Sequence, residues 1–132
     1  QNGGTAPISD VIGYGETVTA RGLNMLYGPG NDLVSSTALT AAGAHMILFT
    51  TGRGTPFGAP APTVKISTNT ALAQKKPGWI DFNAGVLVED KPMKVVEKEF
   101  FDYVVAVASG EKVCSEKAGF HDFAIFKQGV TL

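Results

Sequence analysis

The amino-acid sequence predicts an α/β fold, a three-layer Rossmann-like domain in which helices cover a mainly parallel sheet. Short apolar strands alternate with segments of helical periodicity along the 132 residues, and this alternation is typical of that fold class. The apolar run at residues 46–49 is typical of a parallel strand buried on both faces. Three polar loops, at residues 28–32, 50–58 and 83–85, follow predicted strands, where ligands bind in such folds, and we expect them to meet at one cleft. We therefore expect a single domain over residues 1–132 with its site at this edge.

The first half of the chain predicts two strands joined by a helix. Residues 23–27 form a short apolar strand that ends at the glycine and proline turn of residues 28–30. Asn31 or Asp32 then caps a helix that reaches about residue 42, because short polar side chains at that position accept bonds from the first helical amides. The strand at residues 46–49 follows.

The second half continues the alternation. We predict a strand with alternating polar and apolar residues, a short helix, another strand, a long amphipathic helix with apolar residues at three- and four-residue steps, and a last short strand. These elements occupy residues 63–67, 71–76, 79–83, 92–109 and 123–126, and Asn69 or Thr70 caps the short helix.

Composition and charge exclude several classes of partner. With 11 basic and 12 acidic side chains and a net charge of −1, the chain lacks the positive field that binds nucleic acids. Its apolar runs are too short to cross a bilayer, so no membrane partner is expected. The single cysteine, Cys114, excludes an internal disulfide and favours a cytoplasmic location. The chain opens at Gln1 without an initiator methionine, which indicates a piece of a longer protein.

The most informative segment is the polar, glycine-punctuated loop at residues 49–58. Its hydroxyls, backbone amides and single guanidinium suit an anion, and it offers no obvious nucleophile. Arg53 lies between two glycines that let the backbone approach a ligand, and it either clamps a carboxylate or pairs with a surface acid. The candidate binding residues of this loop are Thr50, Thr51, Gly52, Arg53 and Gly54.

Four other polar residues are candidates, each with a structural alternative. Asp32 is either catalytic or a helix cap. Lys65 is a general base or a charge partner if it is desolvated, and only a solubilising charge if it lies at a sheet edge. Asp81 and Asn83 face one side of a strand, where they form part of a site or, if buried, need partners.

Two kinds of site are not predicted. The glycines at residues 28–30 and 52–54 lack the third glycine of a dinucleotide fingerprint, and no phosphate-binding G-K-[ST] motif is present. His45 and His121 stand alone without ligand spacing, so no metal site is expected within this chain. Cys114 has no matched histidine and is interpreted as a structural or incidental thiol.

Several motifs resemble a known family, the altronate and galactarate dehydratases, in its carboxy-terminal domain. The similarity includes Pro-Gly-Asn-Asp at residues 29–32, Phe-Thr-Thr-Gly-Arg-Gly at residues 49–54 and Asp-Phe-Asn at residues 81–83. The Thr55-Pro56 step and the closing Gly-Val-Thr-Leu look more like the altronate branch. The matching segments are residues 29–39, 48–58, 62–69, 79–85 and 124–132.

The resemblance implies a hydro-lyase that converts D-altronate to 2-dehydro-3-deoxy-D-gluconate in hexuronate catabolism, with galactarate or another sugar acid as the alternative substrate. It implies a divalent metal, usually iron, and other domains of the same enzyme that hold it, with no cofactor in this chain alone. We assign catalytic roles to Arg53, Lys65 and Asp32, and substrate binding to Thr50, Thr51, Gly52, Gly54, Asp81 and Asn83.

A different class of function stays open. The long apolar helix, together with Phe57 and Phe120, is a possible partner surface, so the chain is alternatively a non-catalytic dimerisation or anion-binding module. A homodimer is expected in either case. We expect the isolated chain to fold but to lack activity.

Overall fold

The computed structural model describes residues 4–125 and has an α/β architecture. All strand pairs within this range are parallel, and helices flank the strands, which is consistent with a Rossmann-like α/β fold. The elements in chain order are β1 (Ile8–Ile12), β2 (Leu23–Leu26), α1 (Asp32–Ala41), β3 (Ile47–Thr51), β4 (Thr63–Ser67), α2 (Thr70–Lys75), β5 (Phe82–Asn83), a 3-10 helix (Ala84–Glu89), α3 (Met93–Ala108) and α4 (Cys114–Lys117).

The five strands form two separate sheets rather than one. β1 pairs with β2, and the second sheet has the order β3-β4-β5 with β4 in the centre. β1 and α4 were not predicted, because Ile8–Ile12 contains an aspartate and a serine and Cys114–Lys117 spans a polar run.

Helix α1 begins where the sequence predicts. The Asn31 side-chain oxygen accepts hydrogen bonds from the amides of Leu33 and Val34, both at 3.1 Å, so Asn31 is the capping residue. Asp32 lies exposed in the first turn, where its charge suits the positive end of the helix dipole. Of the two predicted caps, the structure selects Asn31.

The burial of β3 and β4 differs from the burial that their sequence patterns indicate. β3 was predicted to be buried on both faces, but it lies at the edge of its sheet and Leu48 is 50% exposed. β4 was predicted from alternating polar and apolar residues, yet all five of its residues are buried. Position in the sheet decides this, since a central strand is covered on both sides whatever its side chains are.

The region after α2 departs from the prediction in two places. Residues 79–80 continue a turn in which the amides of Trp79 and Ile80 donate to the Lys76 carbonyl, so the predicted strand shortens to Phe82–Asn83. Residues 123–125 form no strand, and Phe126 lies outside the described residues. The predicted long helix is confirmed as α3.

The core lies on the two faces of the β3-β4-β5 sheet. One cluster joins Val64 and Ile66 of β4 to Val107 of α3 and to Val113. The other joins Ile47, Ala59 and Ala61, with Phe49 and Phe57 packed against it. No described helix combines the length and the hydrophobicity that crossing a membrane requires.

Candidate functional site

The carboxyl ends of three parallel strands bring predicted site residues to one edge of the sheet. In the strand register Thr51 of β3 lies opposite Ser67 of β4, and Ser67 lies opposite Asn83 of β5. Because the strands are parallel, the loops that leave them start from the same edge. The loops after Thr51 and Asn83 are therefore neighbours, as predicted.

The loop after β3 folds back on itself and onto the start of α2. The Gly54 amide donates to the Thr51 hydroxyl oxygen at 2.9 Å, and the Thr51 carbonyl accepts from the Thr68 amide at 3.0 Å. The Asn69 side-chain amide donates to the Gly52 carbonyl at 3.0 Å. These bonds fix the backbone on both sides of Arg53.

Glycine is required at the end of this loop. Gly54 has a φ of +84°, and an added Cβ would lie 3.0 Å from a methyl carbon of Leu72 in α2. Asn69 joins this loop to α2. Its side-chain oxygen caps α2 by accepting from the Leu72 amide, and its side-chain nitrogen donates to the Gly52 carbonyl of the loop. The sequence predicted Asn69 as a possible cap but gave no signal for the second bond, which depends on the tertiary fold.

Arg53 and Thr50 keep free polar groups at this edge. Both are exposed, and neither side chain forms a hydrogen bond or an ion pair with another residue in the range 4–125. The Gly54 amide, in contrast, is already engaged with Thr51. An anion that docks here would therefore meet the guanidinium of Arg53 before the Gly54 amide.

Both ends of the Asn83 side-chain amide bond to protein groups. Its side-chain oxygen accepts from the Ser67 hydroxyl at 3.2 Å and from the Gly85 amide at 2.9 Å. Its side-chain nitrogen donates to the Thr70 hydroxyl oxygen at 3.0 Å. The side chain joins β4, α2 and the 3-10 helix, which is a structural role.

Asp81 joins three elements through one carboxylate. One oxygen accepts from the Lys65 amide at 2.8 Å, and the other accepts from the Cys114 amide at 2.7 Å and from the Tyr103 hydroxyl at 3.4 Å. Burial, and next the charge of Asp81, raise the pKa of the Tyr103 hydroxyl. The buried partners that the sequence required for Asp81 are present.

Lys65 is a buried charge in the central strand. The residue is 1% exposed, so the interpretation as a solubilising charge at a sheet edge is wrong. Its ammonium donates to the Thr55 carbonyl at 2.7 Å and lies 5.6 Å from the centre of the Phe57 ring. Burial lowers the pKa of Lys65, and the nearby carboxylate of Asp81 opposes that change.

The third predicted loop does not join this edge through polar contacts. Asp32 follows β2, which belongs to the other sheet. Within the described range no hydrogen bond or ion pair links residues 28–32 to residues 50–58 or to Asn83. Of the three loops expected at one cleft, the sheet register brings together only the loops that follow Thr51 and Asn83.

An apolar groove lies elsewhere, where α3 packs beside the β3-β4-β5 sheet. A cavity of about 530 Å³ between Leu48 and Phe101 adjoins one of about 280 Å³ near Met93, and the two share Glu97 and Phe100 in their linings. None of the residues 50–54 lines either cavity. The groove and the loop are therefore separate surface features.

The described residues do not fit a metal. Within residues 4–125 no group of three or more histidine, cysteine, aspartate and glutamate side chains is placed to hold a metal ion.

Comparison with known proteins gives the family. Residues 1–131 match the family model described as D-galactarate/altronate dehydratase, C-terminal. The chain belongs to this family. It is 55% identical over 133 residues to altronate dehydratase of Bacillus subtilis (strain 168), covering 100% of this chain and 27% of that protein.

Two further relatives are an altronate dehydratase and a galactarate dehydratase. Altronate dehydratase of Escherichia coli (strain K12) is 52% identical over 132 residues, which are 100% of this chain and 27% of the relative. Galactarate dehydratase (L-threo-forming) of the same organism is 36% identical over 127 residues, which are 93% of this chain and 24% of the relative. The chain thus spans about a quarter of the length of the curated relatives it matches.

Proposed function

We propose that this chain is a single C-terminal domain of a longer hydro-lyase that dehydrates D-altronate to 2-dehydro-3-deoxy-D-gluconate in hexuronate catabolism. The observation that carries the substrate assignment is the whole-chain identity of 55% and 52% to two altronate dehydratases, against 36% to a galactarate dehydratase. Galactarate or another sugar acid is the alternative substrate.

We assign one wall of the substrate cleft to the edge formed by the loop after β3. The exposed guanidinium of Arg53, held between two backbone anchors, is suited to the carboxylate of a sugar acid because its donors match a carboxylate in a bidentate fashion. The exposed hydroxyl of Thr50 is suited to a substrate hydroxyl. Other domains of the same enzyme would supply the opposite wall.

The chemistry explains why a cation belongs there. Dehydration removes the proton from the carbon next to the carboxylate and breaks the bond to the 3-hydroxyl, which leaves as water after it gains a proton. The resulting enol then becomes the 2-keto group. Negative charge develops on the carboxylate oxygens during proton removal, and a fixed guanidinium lowers the energy of that state.

The remaining components of the enzyme lie outside the described residues. We propose a divalent metal, iron, bound by the other domains of the longer protein, since residues 4–125 contain no ligand cluster for it. The single cysteine and the enzymatic relatives favour a cytoplasmic location. Catalytic roles for Lys65 and Asp32 are less favoured than the role of Arg53, because Lys65 is buried and Asp32 lies in a helix turn after the other sheet.

The site assignment is tested by replacing Arg53 in the complete protein. Arg53→Ala should lower kcat/KM for altronate by about 100-fold, since a charged hydrogen-bonded pair contributes about 3 kcal/mol, and Arg53→Lys should fall between it and the wild type. Arg21→Ala removes the other arginine of the chain, which is also exposed, and is the matched control. Unchanged turnover in Arg53→Ala would refute the assignment, and a higher kcat/KM for galactarate than for altronate would refute the substrate.

A second candidate function, homodimerisation, is favoured by the open apolar groove between α3 and β3. Phe101 is 65% exposed beside the groove that contains Leu48, and an apolar surface of this kind is typical of a protein contact. Sedimentation velocity of the complete protein should show a dimer that Phe101→Ser weakens. Phe123→Ser, at a similarly exposed aromatic outside α3, is the control and should leave the dimer intact. A monomeric wild type would rule this out.

Phe57 and Phe120, the other two aromatic residues of the predicted partner surface, differ in their surroundings. Phe57 is only half exposed and packs edge-to-face on Phe49 with ring centres 5.2 Å apart, so it belongs to the core rather than to a partner surface. Phe120 is 39% exposed and lies on the segment that packs against Gly58. We therefore leave Phe57 out of the contact surface and assign that surface to the groove between α3 and β3.

A further inference from the structure

The polar side chains of β4 point to a role for Lys65 that differs from catalysis. Thr63, Lys65 and Ser67 alternate with Val64 and Ile66, so they share one face of the strand. All three are buried, at 0%, 1% and 0% exposure. A polar stripe in the middle of a sheet is stable only if each group has a partner.

Each of these three side chains forms a hydrogen bond with a backbone group of a loop next to β4. The Thr63 hydroxyl accepts from the Ala59 amide and donates to the Ala61 carbonyl. The Ser67 hydroxyl shares its one proton between the Asn69 carbonyl at 3.1 Å and the Asn83 side-chain oxygen at 3.2 Å. Lys65 makes the equivalent bond to the Thr55 carbonyl, two residues beyond Arg53.

The bond from Lys65 completes the fixation of the Arg53 loop. Gly52 is held through its carbonyl by Asn69, and Gly54 is held through its amide by Thr51. These two bonds hold the residues directly before and after Arg53. At Thr55, where the chain leaves the loop, the Lys65 ammonium is the only side-chain group of residues 4–125 that bonds to the backbone. Without it the loop would keep only its first anchors.

A lysine at this position is costly for stability. Its ammonium has one carbonyl partner and no carboxylate within ion-pair distance among the described residues. An ion taken out of water without a close counter-ion costs several kcal/mol, and an apolar side chain of the same length would avoid that cost. Stability alone therefore does not account for this residue.

Burial also separates Lys65 from any substrate. A general base must come within about 3 Å of the proton that it removes. At 1% exposure, with the Phe57 ring beside it, the Lys65 amine offers no such approach from the surface. Its influence on a substrate must pass through the loop.

We propose that Lys65 is a positioning residue for the dehydration site, in that its buried ammonium holds the Thr55 carbonyl and thereby fixes the loop that presents Arg53. The inference rests on the proposed function of Arg53 described above. It assigns to Lys65 no contact with substrate.

The test is a double-mutant cycle in the complete protein. Lys65→Met keeps an unbranched side chain, one atom shorter, and removes the ammonium. It should lower kcat/KM for altronate about tenfold through a higher KM and a lower kcat, because the carboxylate is bound before the reaction and gains charge during it. In an Arg53→Ala background the same change should cost less than about twofold, since two residues that act through one contact are not additive. An equal loss in both backgrounds, or a loss of kcat with unchanged KM, would overturn the proposal.

A second measurement follows the loop without using activity. The chain contains two Arg–Gly bonds, at residues 21–22 and 53–54, and trypsin cleaves after arginine. Lys65→Met should raise the cleavage rate at 53–54 about tenfold relative to that at 21–22, because cleavage follows local opening. An unchanged ratio overturns the proposal. If Arg53→Ala is fully active, the proposed function fails whatever the trypsin result is.

The role of Lys65 can still be tested if Lys65→Met does not fold. Lys65→Gln keeps a neutral donor one bond shorter than lysine and replaces Lys65→Met in both measurements if that variant does not fold. Failure of both variants to give folded protein would assign Lys65 to the core alone and overturn the proposal.

Discussion

Replacing Asp81 by asparagine tests how the tertiary structure uses this carboxylate. Both of its oxygens accept hydrogen bonds, one from the Lys65 amide and the other from the Cys114 amide and the Tyr103 hydroxyl. Asparagine has almost the same shape but only one acceptor oxygen. In either orientation of the amide, at least one backbone donor then faces an NH₂ group.

The magnitude follows from two contributions. A buried donor left without an acceptor costs about 1–3 kcal/mol, and the bonds that survive lose the extra strength of a charged acceptor, about 1 kcal/mol. We expect Asp81→Asn to lower the free energy of unfolding by about 3 kcal/mol, which for a chain of this size is a fall of about 10 °C in Tm.

Urea unfolding of the 132-residue chain, followed by the fluorescence of its single tryptophan, Trp79, measures this change. The midpoint should fall by about 1–2 M. Asp102→Asn is the matched control, because Asp102 forms an exposed pair with Lys98 and should cost less than about 0.5 kcal/mol. If Asp81→Asn costs no more than Asp102→Asn, the structural account of Asp81 is wrong.

Three further predictions concern packing, the thiol and the isolated chain. Gly85→Ala should destabilise the chain by about 1–3 kcal/mol in the same urea assay, because an added Cβ would lie 2.5 Å from Asn69 Cα, whereas Gly78→Ala has open space and should be neutral. Burial, and next Asp81, raise the pKa of Cys114 to about 11, so iodoacetamide should alkylate it about 100-fold more slowly at pH 8 than an ordinary thiol of pKa 9.0. An alkylation rate equal to that of the ordinary thiol would contradict the raised pKa of Cys114. Because the folded-state pKa lies above 9.0, the contribution of Cys114 to the free energy of unfolding is complete below pH 9 and is lost between pH 9 and 11. The isolated, metal-supplied chain should show no steady altronate turnover, and measurable turnover would contradict the expectation that the enzyme needs its other domains.

Local elements were predictable where local interactions specify them. The start of α1 follows from Asn31, the start of α2 from Asn69, and α3 from its apolar periodicity. β4 was predicted at residues 63–67, where the structure has it. These features depend on contacts between residues a few positions apart, so the sequence carries them directly.

Features that depend on strand order were not predictable. The edge position of β3 reversed the expected burial of Leu48, and the central position of β4 decided between the two alternatives for Lys65 in favour of a desolvated side chain. The two-sheet arrangement also left Asp32 on a different sheet from Arg53. Strand order arises from pairing between distant segments, and no local pattern in this chain encodes it.

The sequence by itself determined the α/β class, the family resemblance and the polar loop around Arg53, because glycine spacing, capping residues and periodicity are properties of short segments. Only the tertiary structure decided which polar groups of that region are engaged. It buried Lys65 beneath the loop and surrounded Asp81 with donors, while Arg53 stayed exposed. The physical reason is that a buried polar group must find its partners in space, and those partners lie 10 to 33 residues away along the chain.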